Sequence, residues 1–108
     1  MTDKIIPIIK AKKNFKNDII LDPNGFFIIE LYDKEIRVEY YKNIYKENKI
    51  VSGTLKQVFI GNKADALCDS ITNNIKNLRI EHYMYLGREI FKAQLCLEKN
   101  KKFIQGGC

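Results

Sequence analysis

The sequence predicts an α+β domain: a small, mainly antiparallel sheet of three to four strands, with two helices from the C-terminal half packed on one face. Three observations carry this. Near residues 26–41 an apolar run, "GFFIIELY", starts apolar on both faces, and "IRVEYY" after it alternates with a period of two. Two later runs, between residues 62 and 99, repeat apolar residues at three and four. Strands come first and helices second, which is not the order of a βαβ chain.

The length of 108 residues suits one domain, since a chain of this size buries about two-thirds of its unfolded surface around a single core. Residues 1–21 read as an irregular basic lead-in, with a short edge strand at Ile5–Ile9 limited by Pro7, which has no N–H for a ladder. In "LDPNGFF", Pro23, Asn24 and Gly25 make a turn, with Gly25 supplying a positive φ. Strands then occupy the stretch up to residue 60. "GFFIIELY" sets Phe27, Ile29 and Leu31 on one face and Phe26, Ile28, Glu30 and Tyr32 on the other. "IRVEYY" places Ile36, Val38 and Tyr40 inward and Arg37, Glu39 and Tyr41 outward, with "DKE" as the hairpin link. After a polar connection, "TLKQVFIG" is a third strand ending at Gly61.

A helix over 62–78 is predicted by Ala64, Leu67, Cys68, Ile71, Ile75 and Leu78, with Asn62 as N-cap and Asp65 three residues on. Cys68 lies on that stripe, as a small hydrophobe of the core. A second helix over 81–99 carries Tyr83, Leu86, Ile90, Ala93 and Leu97 toward the core, with Phe91 and Leu95 widening the stripe. "KFIQ" suggests a last short strand at 102–105, and residues 106–108 a mobile tail whose Cys108 has no structural role.

The net charge of +6 favours anionic ligands at long range. Its Lys clusters, 10–16 and 99–102, read as solvated faces rather than a nucleic-acid surface. No run approaches the ~20 apolar residues of a membrane span, which implies a cytoplasmic protein. Three widely spaced cysteines with a single His provide neither a zinc set nor a disulfide framework, and no metal is expected. A phosphate-binding Gly-rich loop, a nucleophile elbow and an HExxH pattern are all absent from the sequence, so no enzyme class is indicated.

The polar residues worth weighing sit in "EHYMYLGREIFKAQ" and at the turn before the first long strand. His82, Tyr85 and Glu89 share one side of a helix over two turns, which could hold a polar ligand; Arg88 and Glu89 could equally be solvated or paired with each other. Gly87 costs about 1 kcal/mol relative to Ala within a helix, which suggests close approach by another backbone or a flat ligand, so Gly87→Leu is expected to destabilise. Asp22 and Asn24 are ordinary turn residues, although a carboxylate there could accept paired hydrogen bonds from the edge of a guanine or pterin ring.

"LDPNGFFIIEL", "IRVEYY", "IGNKADALCDSI" and "HYMYLGREIFKAQLCLEKNKKFIQ" together resemble a small archaeal and bacterial domain family of unknown function labelled a pterin-binding domain. The likeness covers about residues 20–105, and "YLGRE" is its most specific part. Family members accompany proteins related to dihydropteroate synthase, to thymidylate synthase and to tetrahydromethanopterin S-methyltransferase. The resemblance implies a methanogen-like one-carbon setting and a ligand such as tetrahydromethanopterin or a folate-like pterin. By position the motif falls on Asp22, Gly25, His82, Tyr85, Leu86, Gly87, Arg88 and Glu89, while "QGGC" departs from the family's acidic ending. The ligand-binding residues implied are Asp22, Asn24, His82, Tyr85, Arg88 and Glu89, with Gly25, Gly61 and Gly87 structural.

Three functions follow from these readings. The first is a non-catalytic binding module for a reduced pterin carrier, in which Asp22 or Glu89 pairs with the pterin edge. The second is an assembly module that docks on a pterin or corrinoid enzyme of a methyl-transfer pathway through Tyr32, Tyr41 and Tyr45. The third is a small basic nucleic-acid-binding protein. Each leaves a homo-oligomer open.

Overall fold

Alternating hydropathy becomes three long antiparallel strands in the computed structural model, which describes residues 5–7 and 25–105. The expectations for Asp22, Asn24, the remainder of the lead-in and the 106–108 tail lie outside the described residues. Strands β1 (Ile5–Pro7), β2 (Gly25–Tyr32), β3 (Glu35–Lys46) and β4 (Lys49–Gly61) form one sheet in the order β1-β4-β3-β2. Every pairing is antiparallel, so the edges are β1, which runs beside residues 52–54, and β2. The α+β expectation holds.

Hairpin β2–β3 turns on Asp33 and Lys34, with Asp33 at φ 60°. The link between β3 and β4 is as tight: Glu47 and Asn48 both adopt positive φ (53° and 65°), the backbone of a type I′ turn that matches the twist of its strands. The polar connection expected before residue 54 is therefore strand, and β4 begins five residues early. Register shifts between Tyr40 and Tyr41 and between Ile44 and Tyr45 bend this long ribbon.

Helix α1 spans Ala64–Asn74 and α2 spans Ile80–Glu98. Asn62 does not cap α1; Lys63 occupies that position without a side-chain bond, and Gln94 of α2 accepts the Ala64 N–H instead. Asp65 bonds the neighbouring Ala66 N–H. The helix ends four residues before the expected 78, where Asn74 and Lys76 donate side-chain hydrogen bonds to the Ser70 and Thr72 carbonyls and Tyr83 donates to the Ile75 carbonyl. Ile75 and Leu78 stay buried from irregular backbone, with Asn77 at φ 67° turning the chain toward α2.

One core lies between the helices and the sheet face bearing Phe27, Ile29, Ile36, Val38 and Phe59, closed by Leu67 and Ile71 of α1 and Leu86, Ile90 and Ala93 of α2. Cys68, Tyr83 and Leu97 pack at its margin. Phe91 and Leu95, expected to widen the α2 stripe, are instead about half exposed on the opposite side, and the helix turns His82, Tyr85 and Glu89 inward beside that stripe. The outward reading of Glu39 and Tyr41 is also corrected, because both are buried on the second sheet face. There Phe26 stacks on Tyr41 at 5.2 Å, and Gly53 leaves room for the Phe26 ring. Gly25 is not needed for a positive φ: a Cβ there would collide with the Tyr41 carbonyl and the Tyr40 ring. A Cβ at Gly61 would reach only ordinary contact with Leu67, at 3.4 Å.

Residues 102–105 form no strand, and the reason is a substitution of one kind of hydrogen bond for another. Asn100 takes φ 56° after α2, with Lys101 N–H bonding the Cys96 carbonyl (2.7 Å) and Asn100 N–H the Leu97 carbonyl (3.2 Å), a Schellman ending. The chain reverses, Phe103 packs on the core, and Gln105 is delivered to the open edge of β2. Its Oε1 accepts the Ile29 N–H (2.8 Å) and its Nε2 donates to the Phe27 carbonyl (3.0 Å) and to the Tyr85 hydroxyl (2.8 Å). One side-chain amide thus does for β2 what a neighbouring strand would do.

Replacing Gln105 with Ala should strand the Ile29 N–H and Phe27 carbonyl in the interior and cost about 2–4 kcal/mol. The expected signature is a lower urea midpoint at unchanged m-value.

Candidate functional site

Helix α2 places His82, Tyr85 and Glu89 in a row on its inward side, and all three are buried. The row faces the β2 edge, since Gln105 ties Tyr85 to Phe27 and Ile29. Leu31, farther along β2, shares a cleft with Cys96 and Leu97 near the end of α2. The helix therefore runs alongside β2, and Gly25 opens that strand at the end where His82 and Tyr85 lie. In the sequence Asn24 directly precedes this glycine and Asp22 stands three positions before it.

Glu89, the carboxylate of the row, is 1% exposed. Lys92 one turn on approaches it at 2.8 Å, and Arg88 at 3.7 Å. Arg88 itself is solvent-facing and extends its guanidinium over the Tyr85 ring, 5.7 Å from the centroid. Burial pushes the Tyr85 hydroxyl above its ordinary range, and the Glu89 charge adds to this against the Gln105 hydrogen bond and Arg88. Lys92 also lines a groove of about 240 Å³ floored by Leu95, Phe103 and Ile104 and rimmed by Lys99, Lys101 and Lys102. The buried carboxylate is thus one lysine away from an apolar groove with a basic rim.

Among the described residues nothing packs directly on Gly87: a Cβ there would meet no atom within 4 Å outside its own helix, and the glycine borders a small cleft beside Cys68 and Thr72 of α1. The expected close approach by the sheet is corrected, and with it the basis for a large loss on Gly87→Leu. Arg88 stands on the solvent side, so the buried row consists of His82, Tyr85 and Glu89, with Arg88 folded over it from outside.

A second polar cluster, on the other sheet face, was not singled out by spacing. Arg37 donates through Nε (3.2 Å) and Nη2 (3.0 Å) to one oxygen of buried Glu39, and Tyr41 donates to the other at 2.8 Å. Both carboxylate oxygens are occupied, which explains how a charge persists at 5% exposure. The signal that could have found it is the i, i+2, i+4 series Arg37-Glu39-Tyr41 on one strand face. Burial first, then the hydrogen bond to Glu39, pushes the Tyr41 hydroxyl far above its ordinary value. Burial of Tyr41 also breaks up the expected Tyr32–Tyr41–Tyr45 contact face; Tyr32 and Tyr45 remain exposed, at opposite ends of the β2–β3 hairpin.

Among the described residues no group of three His, Cys, Asp or Glu lies close enough to hold a metal ion, and no helix is long and apolar enough to cross a membrane. Cys68 is half-buried, and burial followed by Asp69 and Asp65 raises its thiol above the ordinary value.

Comparison with known proteins extends the resemblance read from the sequence. Residues 21–106 match the PterinBD-DUF4346 family. A Ycf91-like protein of Nostoc sp. (strain PCC 7120) is 32% identical to this chain, over 81% of this chain and 84% of its own length. No solved structure matches.

Two measurements test the site's architecture. Gly87→Ala should raise the stability of dilute protein by up to about 1 kcal/mol, read by urea titration, because the open space accepts the methyl and the helix gains propensity. Tyr41 and Tyr85 keep their protons in the folded state where an unfolded tyrosine, near pH 10, loses them. Their stabilisation is therefore complete below pH 10 and falls as pH rises above it. Ultraviolet titration at pH 11 should find Tyr41 still protonated, and stability at pH 11 should be below that at pH 9 by an amount that shrinks in Tyr41→Phe.

Proposed function

Because the chain belongs to the PterinBD-DUF4346 family, we propose that it is a non-catalytic module that holds a reduced pterin carrier of the tetrahydromethanopterin or folate kind. The observation that carries this reading is the buried Glu89 carboxylate, reached through Lys92 from a lysine-rimmed apolar groove. A pterin presents an amino group and a ring N–H side by side, and a carboxylate in a dry setting accepts both in strong, charge-assisted hydrogen bonds. Arg88 and Lys92 swing away from Tyr85 and Glu89 as the ring enters, exposing the carboxylate to the pterin edge and the Tyr85 face to the ring. His82 joins Tyr85 and Glu89 as a ligand residue of this proposal, and Asp22 and Asn24 belong to it by their position in the sequence alone. The anionic tail of the carrier then lies along Lys99, Lys101 and Lys102.

In this reading the protein serves one-carbon metabolism in the cytoplasm, in a methanogen-like setting, beside a protein of the pterin or methyl-transfer pathway that uses the carrier. Positive net charge of +6 supports capture of a polyanionic carrier. Titration calorimetry with tetrahydrofolate and tetrahydromethanopterin tests it. Saturable binding is expected, with Glu89→Gln weakening it at least tenfold, the loss of one charge-assisted pair, while circular dichroism stays unchanged. Absence of heat with either carrier, or full affinity in Glu89→Gln, would remove the assignment.

A further inference from the structure

Helix α2 is apolar on two opposite sides. The core takes Leu86, Ile90 and Ala93. On the far side Ile80 (73% exposed), Met84 (68%), Phe91 (51%) and Leu95 (51%) form a second stripe with Gly87 at its centre. At 3.6 residues per turn these five positions fall within about 80° of the helix circumference. A solvated helix carries polar residues there, and an apolar stripe over four turns signals a covered face. The four large side chains expose an apolar patch on the order of 500 Å², toward the upper end of what the largest patch of a monomer reaches, and such patches are often functional.

We propose that this face is covered by a second copy of the chain, the two α2 helices crossing antiparallel at Gly87 about a two-fold axis. The order of the stripe carries the choice of occupant. Around the midpoint between Gly87 and Arg88, Met84 and Phe91 lie one turn to either side and Ile80 and Leu95 two turns. An antiparallel copy therefore sets Met84 on the partner's Phe91 and Ile80 on the partner's Leu95, with each contact repeated by symmetry. Gly87 falls at the crossing point, where the absence of a side chain allows the short end of the 8–10 Å range of helix separations. The open space above it, which neither helix nor sheet of its own chain fills, is what such a crossing occupies.

Charge is mixed at this register: Glu81 and Lys92 flank the stripe on the same side, so antiparallel crossing brings Glu81 alongside the partner's Lys92, twice, with Lys92 also held by its own Glu89, while the two Arg88 side chains meet beside the crossing point and repel. The flanks bring the contact toward the ~800 Å² per partner of a standard interface. Two chains of +6 repel at long range, which holds the affinity to the micromolar range. Because Leu95 also floors the lysine-rimmed groove, the partner's Ile80 sits at the mouth of that groove.

Sedimentation equilibrium of the full chain, from about 1 to 300 µM, should give a monomer–dimer equilibrium with a micromolar dissociation constant. Met84→Glu and Phe91→Glu, both at exposed positions, should each raise that constant at least tenfold while the circular dichroism of dilute protein is unchanged. In a chain with Cys68, Cys96 and Cys108 replaced, Gly87→Cys should cross-link to itself under mild oxidation and Ile80→Cys should not. A mixture of the Ile80→Cys and Leu95→Cys chains should cross-link. A monomer at 300 µM, a dimer indifferent to both glutamates, or self-cross-linking of Ile80→Cys would each overturn the proposal. None of these readouts uses a pterin.

Discussion

A β-sheet ending in an unpaired strand exposes a row of backbone donors and acceptors, and the way this protein closes β2 governs the rest of its architecture. Gln105 reaches back across 76 residues to take the Ile29 N–H, and its amino group covers the Phe27 carbonyl. For that reach to succeed, α2 must lie along β2, must end where Asn100 can reverse the chain, and must bring Tyr85 to the third hydrogen bond. Helix placement, the C-terminal turn and the interior row of polar residues follow from sealing one edge.

The same constraint explains why polar side chains line the inward face of α2. Burying a polar group is costly unless each donor and acceptor is matched. Tyr85 is matched by Gln105, and Glu89 by Lys92 and Arg88, so these two members of the row persist beneath a helix. The second sheet face solves the same problem with Arg37, Glu39 and Tyr41. Both carboxylates are held by cations with solvent access, an arrangement that a competing donor can enter by displacing a flexible side chain. That is the chemistry on which the pterin reading rests.

Much of the fold was legible because β2 is an apolar run set off by turn residues, β3 begins with clean alternation, and the α1 stripe recurs at three and four. The misread parts share a cause. Residues 47–49 look like a polar loop, yet Glu47 and Asn48 enter the left-handed region and make a two-residue turn, so local composition hid the start of β4. Ile75 and Leu78 continue a helical spacing, but they are buried from irregular backbone after the helix has ended. In α2 two apolar stripes compete with an interior polar row, and periodicity cannot say which face the sheet covers. Gln105 is the extreme case: no pattern marks one amide as the stand-in for a strand. Of the predicted ligand residues, His82, Tyr85 and Glu89 do share a helix side, which spacing revealed; their burial depends on where the β2 edge sits, which spacing does not contain.

The Gln105 seal also imposes an order on the life of the chain. Both hairpins, β2–β3 and β3–β4, join neighbours in sequence through two-residue links, so their pairing can begin as soon as those segments exist. Among the described residues it is Gln105 that closes the outer margin of β2 at Phe27 and Ile29, and it can do so only once the chain through residue 105 has been synthesised and α2 has docked. During that interval "FFIIEL" lacks its Gln105 seal, and an apolar strand of this kind recruits other strands. Expression yield and chaperone dependence should therefore track how quickly the last helix is made, more than the final stability of the folded protein.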